Sequence, residues 1–182
     1  HQVVEDKSQA DIVLGAVGPR REWEGFHSAL LGNSILGQFG MMGRIGASVR
    51  VQAGLAYYAY SSLSSSIGPG PWAVAAGVDP KNIDLALDLI TGQIKKFTEE
   101  LVSPEELLDV QSHYIGKLPL SLESNRGVAG ALLNIERHNL GLDYFQRYED
   151  LVRQVTAESI LEAATRFLDP DRLAIATAGS EL

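Results

Sequence analysis

The sequence predicts an α+β fold, a two-layer sandwich of helices packed on one face of a mainly antiparallel sheet. Three observations carry this expectation. Apolar runs of strand length stand at 10–16, 55–64, 71–78 and 173–178. The middle two are joined by Ser65-Ser66-Ile67-Gly68-Pro69-Gly70, a turn-forming stretch, and so read as a β-hairpin with a longer loop. The remaining segments carry apolar residues at helical spacing. The order is strand, two helices, hairpin, several helices, strand; it segregates helices from strands, and a hairpin is antiparallel by construction.

Each element has its own signal. The first strand is stopped by Gly18-Pro19. Trp23, Phe26, Leu30, Leu31 and Ile35 then predict an amphipathic helix over 21–35, broken by glycines at 37, 40 and 43, with a shorter helix over 43–51. After the hairpin, Asp79 is a good N-cap and Pro80 suits a first helical position. Ile83, Leu87, Ile90, Ile94, Phe97 and Leu101 form the apolar stripe of the helix that follows. Ser103-Pro104-Glu105-Glu106 is a capping box opening the next helix, which Pro119 is expected to interrupt. A helix over 121–139 should stop near Gly141. Asp143 caps one to about 152, and Thr156 caps one to Phe167, closed by Asp169-Pro170. No repeat or long linker divides residues 1–182, so a single domain is expected.

Composition narrows the function. The 182 residues are 45% hydrophobic and 21% charged, enough to bury a core. The net charge of −8, without any basic run, argues against nucleic acid as a partner. The absence of cysteine excludes disulfides, thiolate zinc sites and cysteine nucleophiles. No apolar run approaches the roughly 20 residues of a membrane helix, so no membrane partner is expected. No signal peptide is visible, and the chain starts at His1 rather than Met, which reads as a fragment of a longer protein. The compartment stays open, with a soluble, cytoplasmic setting as the default expectation.

Catalytic constellations are missing. The histidines at 1, 27, 113 and 138 form no H-E-x-x-H or H-x-x-E-H pair, so no metal ligands are expected in this chain. His27 lies on an apolar stripe and reads as a hydrogen-bonded structural residue; His138 reads as a complement to a helix dipole; His113 faces solvent or a neighbouring helix. There is no G-x-S-x-G elbow. The adjacent acidic pairs 99–100, 105–106 and 149–150 diverge by about 100° on a helix and cannot converge on one substrate. The Gly37, Gly40, Gly43 spacing lacks the P-loop Lys-Ser/Thr and does not follow a strand, which favours a tight helix junction over phosphate binding. One segment is left. Arg50 at a helix end and Tyr57 at a strand start, across Gly54, could together bind peptide carbonyls or a carboxylate; alternatively Arg50 pairs with a surface carboxylate and Tyr57 packs in the sheet.

That segment also carries a resemblance. Arg50, Gly54, Leu55 and Tyr57 form R-x-x-x-G-L-x-Y, which resembles the insulinase/pitrilysin/processing-peptidase family of zinc metallopeptidases, the inverzincins. Lys7-x-Gln9, Ile35-Leu36-Gly37, Gly43-Arg44-Ile45, Ser103 to Leu108, Leu122-Glu123-Ser124, Asp143-Tyr144 and Val155 to Glu158 fall in the family's order over nearly the whole chain. Family members have two related halves that close around a peptide, and only the first carries H-x-x-E-H, which holds zinc and activates water. This chain resembles the second, non-catalytic half. The resemblance implies no catalytic residue and no metal here, zinc in the catalytic half, and a substrate-binding role for Arg50 and Tyr57. A donor of that kind, aimed at a developing oxyanion, is worth about 3 kcal/mol. It also implies a possible substrate-guiding loop over 37–43, with Gly37, Phe39, Gly40 and Gly43, where Phe39, Met41 and Met42 are insertions and Gly43 stands for the usual serine.

The function expected is therefore a non-catalytic C-terminal domain of a zinc metalloendopeptidase that closes over the catalytic half and helps bind peptide. Its partners would be that H-x-x-E-H half, on the same or another chain, the peptide substrate, and a second copy of the fragment as a homodimer. The alternative is a catalytically silent scaffold subunit of the same family. An independent enzyme is a third reading, against which stands the lack of convergent catalytic groups.

Overall fold

The computed structural model describes residues 1–5 and 7–180, apart from the side chains of Met41 and Met42. Five strands form one sheet: β1 (Gln2–Val3), β2 (Ala10–Val17), β3 (Ala56–Leu63), β4 (Pro71–Val78) and β5 (Ala174–Gly179), in the order β1-β5-β2-β4-β3. Only the short β1, which no sequence pattern announced, pairs parallel; β2–β4, β2–β5 and the β3–β4 hairpin are antiparallel. The α+β sandwich with a mainly antiparallel sheet is thus what the chain adopts.

Alternation along the strands explains the layering. Ala10, Ile12 and Leu14 of β2, Trp72, Val74, Ala76 and Val78 of β4, and Ala59 of β3 point to one face and are buried there. Against them lie α1 (Phe26–Gly37), α2 (Phe39–Gly46) and α3 (Ile83–Glu99). The α3 stripe of Ile83, Ala86, Ile90, Ile94 and Phe97 is buried as its spacing requires. Further out, α4 (Pro104–Ser121) and α7 (Ala157–Phe167) pack on α1, and α6 (Tyr144–Arg153) packs on α4. The helix α5 (Asn125–Arg137) buries Ile135.

Several boundaries differ from the sequence pattern, each for a local reason. The first long helix starts at Phe26 rather than near 21, because residues 21–25 form turns and the Trp23 ring folds back over Gly25, where no Cβ would fit. The second helix begins at Phe39 rather than 43 and passes into a π-helical turn over Ala47–Gln52. Asp79 does cap, through Lys81 N–H, but it caps a 3₁₀ turn (Pro80–Asn82) ahead of α3. Pro119 does not interrupt its helix; it lies in the last turn of α4, where a missing N–H removes a single bond near an end that frays anyway. Asn139, at φ 50°, makes the left-handed turn after α5 ahead of Gly141. Asp143 does not cap α6, since its carboxylate is held by Arg147 at 2.6 Å. The capping box at Ser103 forms as expected, and Thr156 caps α7 as expected, in a box closed by Ser159 that the sequence reading did not include.

Candidate functional site

The π-helical turn delivers Arg50 to one end of the sheet. Its wide winding shows in the Ala53 N–H donating to Ser48 O at 3.1 Å, five residues back, and Leu55 N–H donates to Val49 O at 3.0 Å. Such single π turns recur at functional positions because they re-aim side chains. Gly54 then takes φ +65°, a conformation that favours glycine, and the chain reverses into β3. Arg50 is half-buried between buried Val49 and exposed Val51.

Tyr57 is placed by a second irregularity. Ala56 pairs with Val78 and Tyr58 pairs with Gly77, so Tyr57 is the unmatched residue of a β-bulge. Its side chain is 82% exposed and does not pack in the sheet. Arg50 and Tyr57 are therefore brought to the same end of the sheet by two consecutive backbone departures, with Gly54 between them.

Beside them, on the sheet face away from the helices, lies a polar network that sequence reasoning did not find. Asp11 accepts from Lys7 Nζ at 2.6 Å, Tyr58 Oη at 2.7 Å and Gln9 Nε2 at 3.3 Å. The Lys7 bond, then that of Tyr58, holds the Asp11 carboxyl below the usual carboxylate range. Burial, then the bond to Asp11, pushes the Tyr58 phenol up to about 12. Gly77 makes room, since a Cβ there would collide with Gln9 and with the Tyr58 ring. The available signal was Asp11 at a β2 position of the same parity as Val13, which faces outward; its partners come from the loop before β2 and from β3.

Across β2, β4 and β5 the rest of that open face is apolar and built of small residues and valines, with Tyr60 and Ser62 of β3 along its edge. Val13, Gly15 and Val17 of β2, Ala73 and Ala75 of β4, and Ala174 and Ala176 of β5 share it by register. A shallow depression of about 620 Å³ runs over Gly15, Ala73 and Ala174, walled by Phe167 and Arg166. Val13 and Val17 are 47% and 69% exposed, large values for valines in inner strands.

Residues 37–43 turn out to be a tight helix junction. Gly37 is buried at the end of α1 against β3, where a Cβ would lie 2.6 Å from Ser61 Oγ. Gly40 and Gly43 take φ +60° and +63°; Gly40 faces open space, whereas a Cβ on Gly43 would lie 2.5 Å from Ile35 O. Phe39 is half-buried and meets the His113 ring edge-on at 5.5 Å. The side chains of Met41 and Met42 lie outside the described residues. His27 is structural, with Nε2 3.1 Å from Tyr144 Oη; burial, then nearby Arg21, lowers its pKa to about 4. At His138, burial and then Arg21 and Arg137 lower the pKa, which works against the charged form a helix dipole would favour. Among the described residues, no three His, Asp or Glu side chains come together as a metal ion would require, so these residues do not fit a zinc site.

The Peptidase M16 inactive-domain profile matches residues 1–114. The chain belongs to the peptidase M16 family, as its inactive domain. A search of curated proteins gives no match. Among solved structures, the M16 inactive domain from Pseudomonas fluorescens is 25% identical with a TM-score of 0.90, over 100% of this chain and 43% of that one. A Bordetella parapertussis structure described as the inactive peptidase domain of a zinc protease is 18% identical, with a TM-score of 0.80 over 97% and 96% of the two chains. The ferredoxin protease FusC, in complex with Arabidopsis ferredoxin, is 14% identical, with a TM-score of 0.77 over 100% of this chain and 20% of that one. The chain thus spans less than half of the Pseudomonas structure.

Proposed function

We propose that this M16 domain is the substrate-facing half of a zinc endopeptidase, which packs against a catalytic half and offers Arg50 and Tyr57 to the bound peptide. The observation that carries the reading is the pair of backbone irregularities. A π turn and a β-bulge cost local regularity, and together they present one cationic and one phenolic donor at a single sheet end. A domain serving only as a scaffold has no need of an 82%-exposed tyrosine extruded from its hairpin. Zinc and the water-activating glutamate belong to the other half in this reading. The open sheet face supplies the contact, since its floor of glycine and alanine lets an apolar element approach the backbone closely.

The test mixes this chain with an H-x-x-E-H half from the same source and follows cleavage of an unstructured peptide. The expected result is an inert chain alone, cleavage on mixing, and loss of that gain in the Arg50→Ala/Tyr57→Phe double variant. Cleavage unaffected by the double variant transfers the role to a silent scaffold. A homodimer through the open face would show as a concentration-dependent mass that the catalytic half abolishes.

A further inference from the structure

A second depression, of about 290 Å³, lies away from the sheet, among α1, α4, α5 and α6. Its walls include Arg21, Lys117, Asn134 and the rings of Phe26, Tyr114 and Tyr148, and no carboxylate lines it. In a chain of net charge −8, a concave site with two cations and no acid is a departure from the surface average. It is too small for a cofactor and matches one amino-acid-sized group.

Arg21 is built in rather than loosely solvated. Its guanidinium lies 4.3 Å from the centroid of Phe26 and donates to Tyr144 Oη at 2.8 Å. Tyr144 Oη also lies within hydrogen-bond distance of His27 Nε2, at 3.1 Å, so the phenol that orients Arg21 is itself held in place. No acidic side chain among the described residues pairs with Arg21, although Arg20, Arg44, Arg147 and Arg153 each have such a partner. The bond to Tyr144 leaves most of the guanidinium's donors uncommitted. The field of this cation is felt nearby: after burial, Arg21 is the next cause lowering the pKa of both His27 and His138. Lys117 stands exposed at the rim.

We propose that this cavity binds a carboxylate carried on an aromatic or aliphatic group about one residue in size. Arg21 and Lys117 meet the charge, Asn134 offers an amide donor, and the Phe26, Tyr114 and Tyr148 rings flank the apolar body. A free organic acid and the C-terminal residue of a peptide share this chemistry. The site is independent of the Arg50/Tyr57 reading, since it stands on other elements.

The experiment titrates the full 182-residue chain, by two-dimensional amide NMR, with N-acetyl-phenylalanine and with its neutral amide. The acid should move the resonances of Ser121, Asn134 and Tyr148, and bind at least about tenfold more tightly than the amide. Lys117→Gln, an exposed change that leaves the fold alone, should weaken the acid severalfold; Arg21→Gln should abolish it, with the far-ultraviolet dichroism of each variant as the folding control. A short peptide ending in a free phenylalanine identifies peptide termini as the source if it binds more tightly than the acetylated residue, and free acids if it does not enter. Acid and amide acting alike, or no cavity resonance moving at about 10 mM acid, overturns the proposal.

Discussion

Gly40 and Gly43 form a matched pair that separates backbone strain from crowding. Both hold a left-handed conformation, at φ +60° and +63°. An alanine in that region costs roughly 1–2 kcal/mol over glycine. At Gly40 nothing among the described residues lies within 4 Å of the added Cβ, so that strain is the cost. At Gly43 the Cβ would lie 2.5 Å from Ile35 O and 2.7 Å from Gly37 N, both backbone atoms that cannot rotate away. Overpacking of this kind adds about 1–3 kcal/mol. With a urea slope of about 2 kcal/mol per M, Gly40→Ala should lower the unfolding midpoint by about 0.5–1 M and Gly43→Ala by about 1–2.5 M, both with unchanged slope. The assay is equilibrium urea unfolding of the 182-residue chain followed by tryptophan fluorescence. Equal midpoints for the two variants would refute the packing argument, and with it the view that residues 37–43 are a tight helix junction.

Other outcomes follow from particular side chains. Arg44 grips Glu106 with two bonds of 2.7 Å, and Glu106 also accepts from Ser103 N–H in the capping box. Glu106→Gln should therefore cost about 1.5–3 kcal/mol, measured by the same unfolding assay. The Arg44 bond, first among the causes, depresses the Glu106 pKa. Its contribution is thus present above the unfolded value near 4.5 and lost as pH falls through the lower folded value, so the wild-type advantage over Glu106→Gln should shrink in acid. His27 loses stability earlier. Its folded pKa of about 4 lies below the model-peptide 6.5, so the neutral form is favoured and stability present above pH 6.5 declines as pH falls toward 4, by roughly 3 kcal/mol in full. A flat midpoint between pH 7 and 4.5 would contradict that burial. In the reconstituted protease, Arg50→Ala should lower kcat by about 10²–10³ if Arg50 stabilises the transition state, and should raise KM alone if it only binds peptide.

Much of the fold was legible in the sequence because its signals are local. The Ser103 capping box, the Thr156 cap, the α3 stripe and the β4 run from Pro71 to Val78 are each specified by residues within a few positions of one another. R-x-x-x-G-L-x-Y is local too, so Arg50 and Tyr57 could be singled out from spacing and resemblance. The sequence did not determine how those two are presented. A π turn and a bulge are decided by what the neighbouring strand and helices allow, and the bulge is defined only by β4 across the ladder, at Val78 and Gly77. Pro119 and Asp143 misled for the same kind of reason: a proline in a last turn costs little, and an aspartate capped nothing once Arg147 had claimed it. The Asp11–Lys7–Tyr58 network and the Arg21 cavity were invisible beforehand because they join residues 47 and 123 positions apart. Local propensities and apolar periodicity act through nearest neighbours and so survive in the linear sequence, whereas polar networks and cavities exist only after distant segments have met.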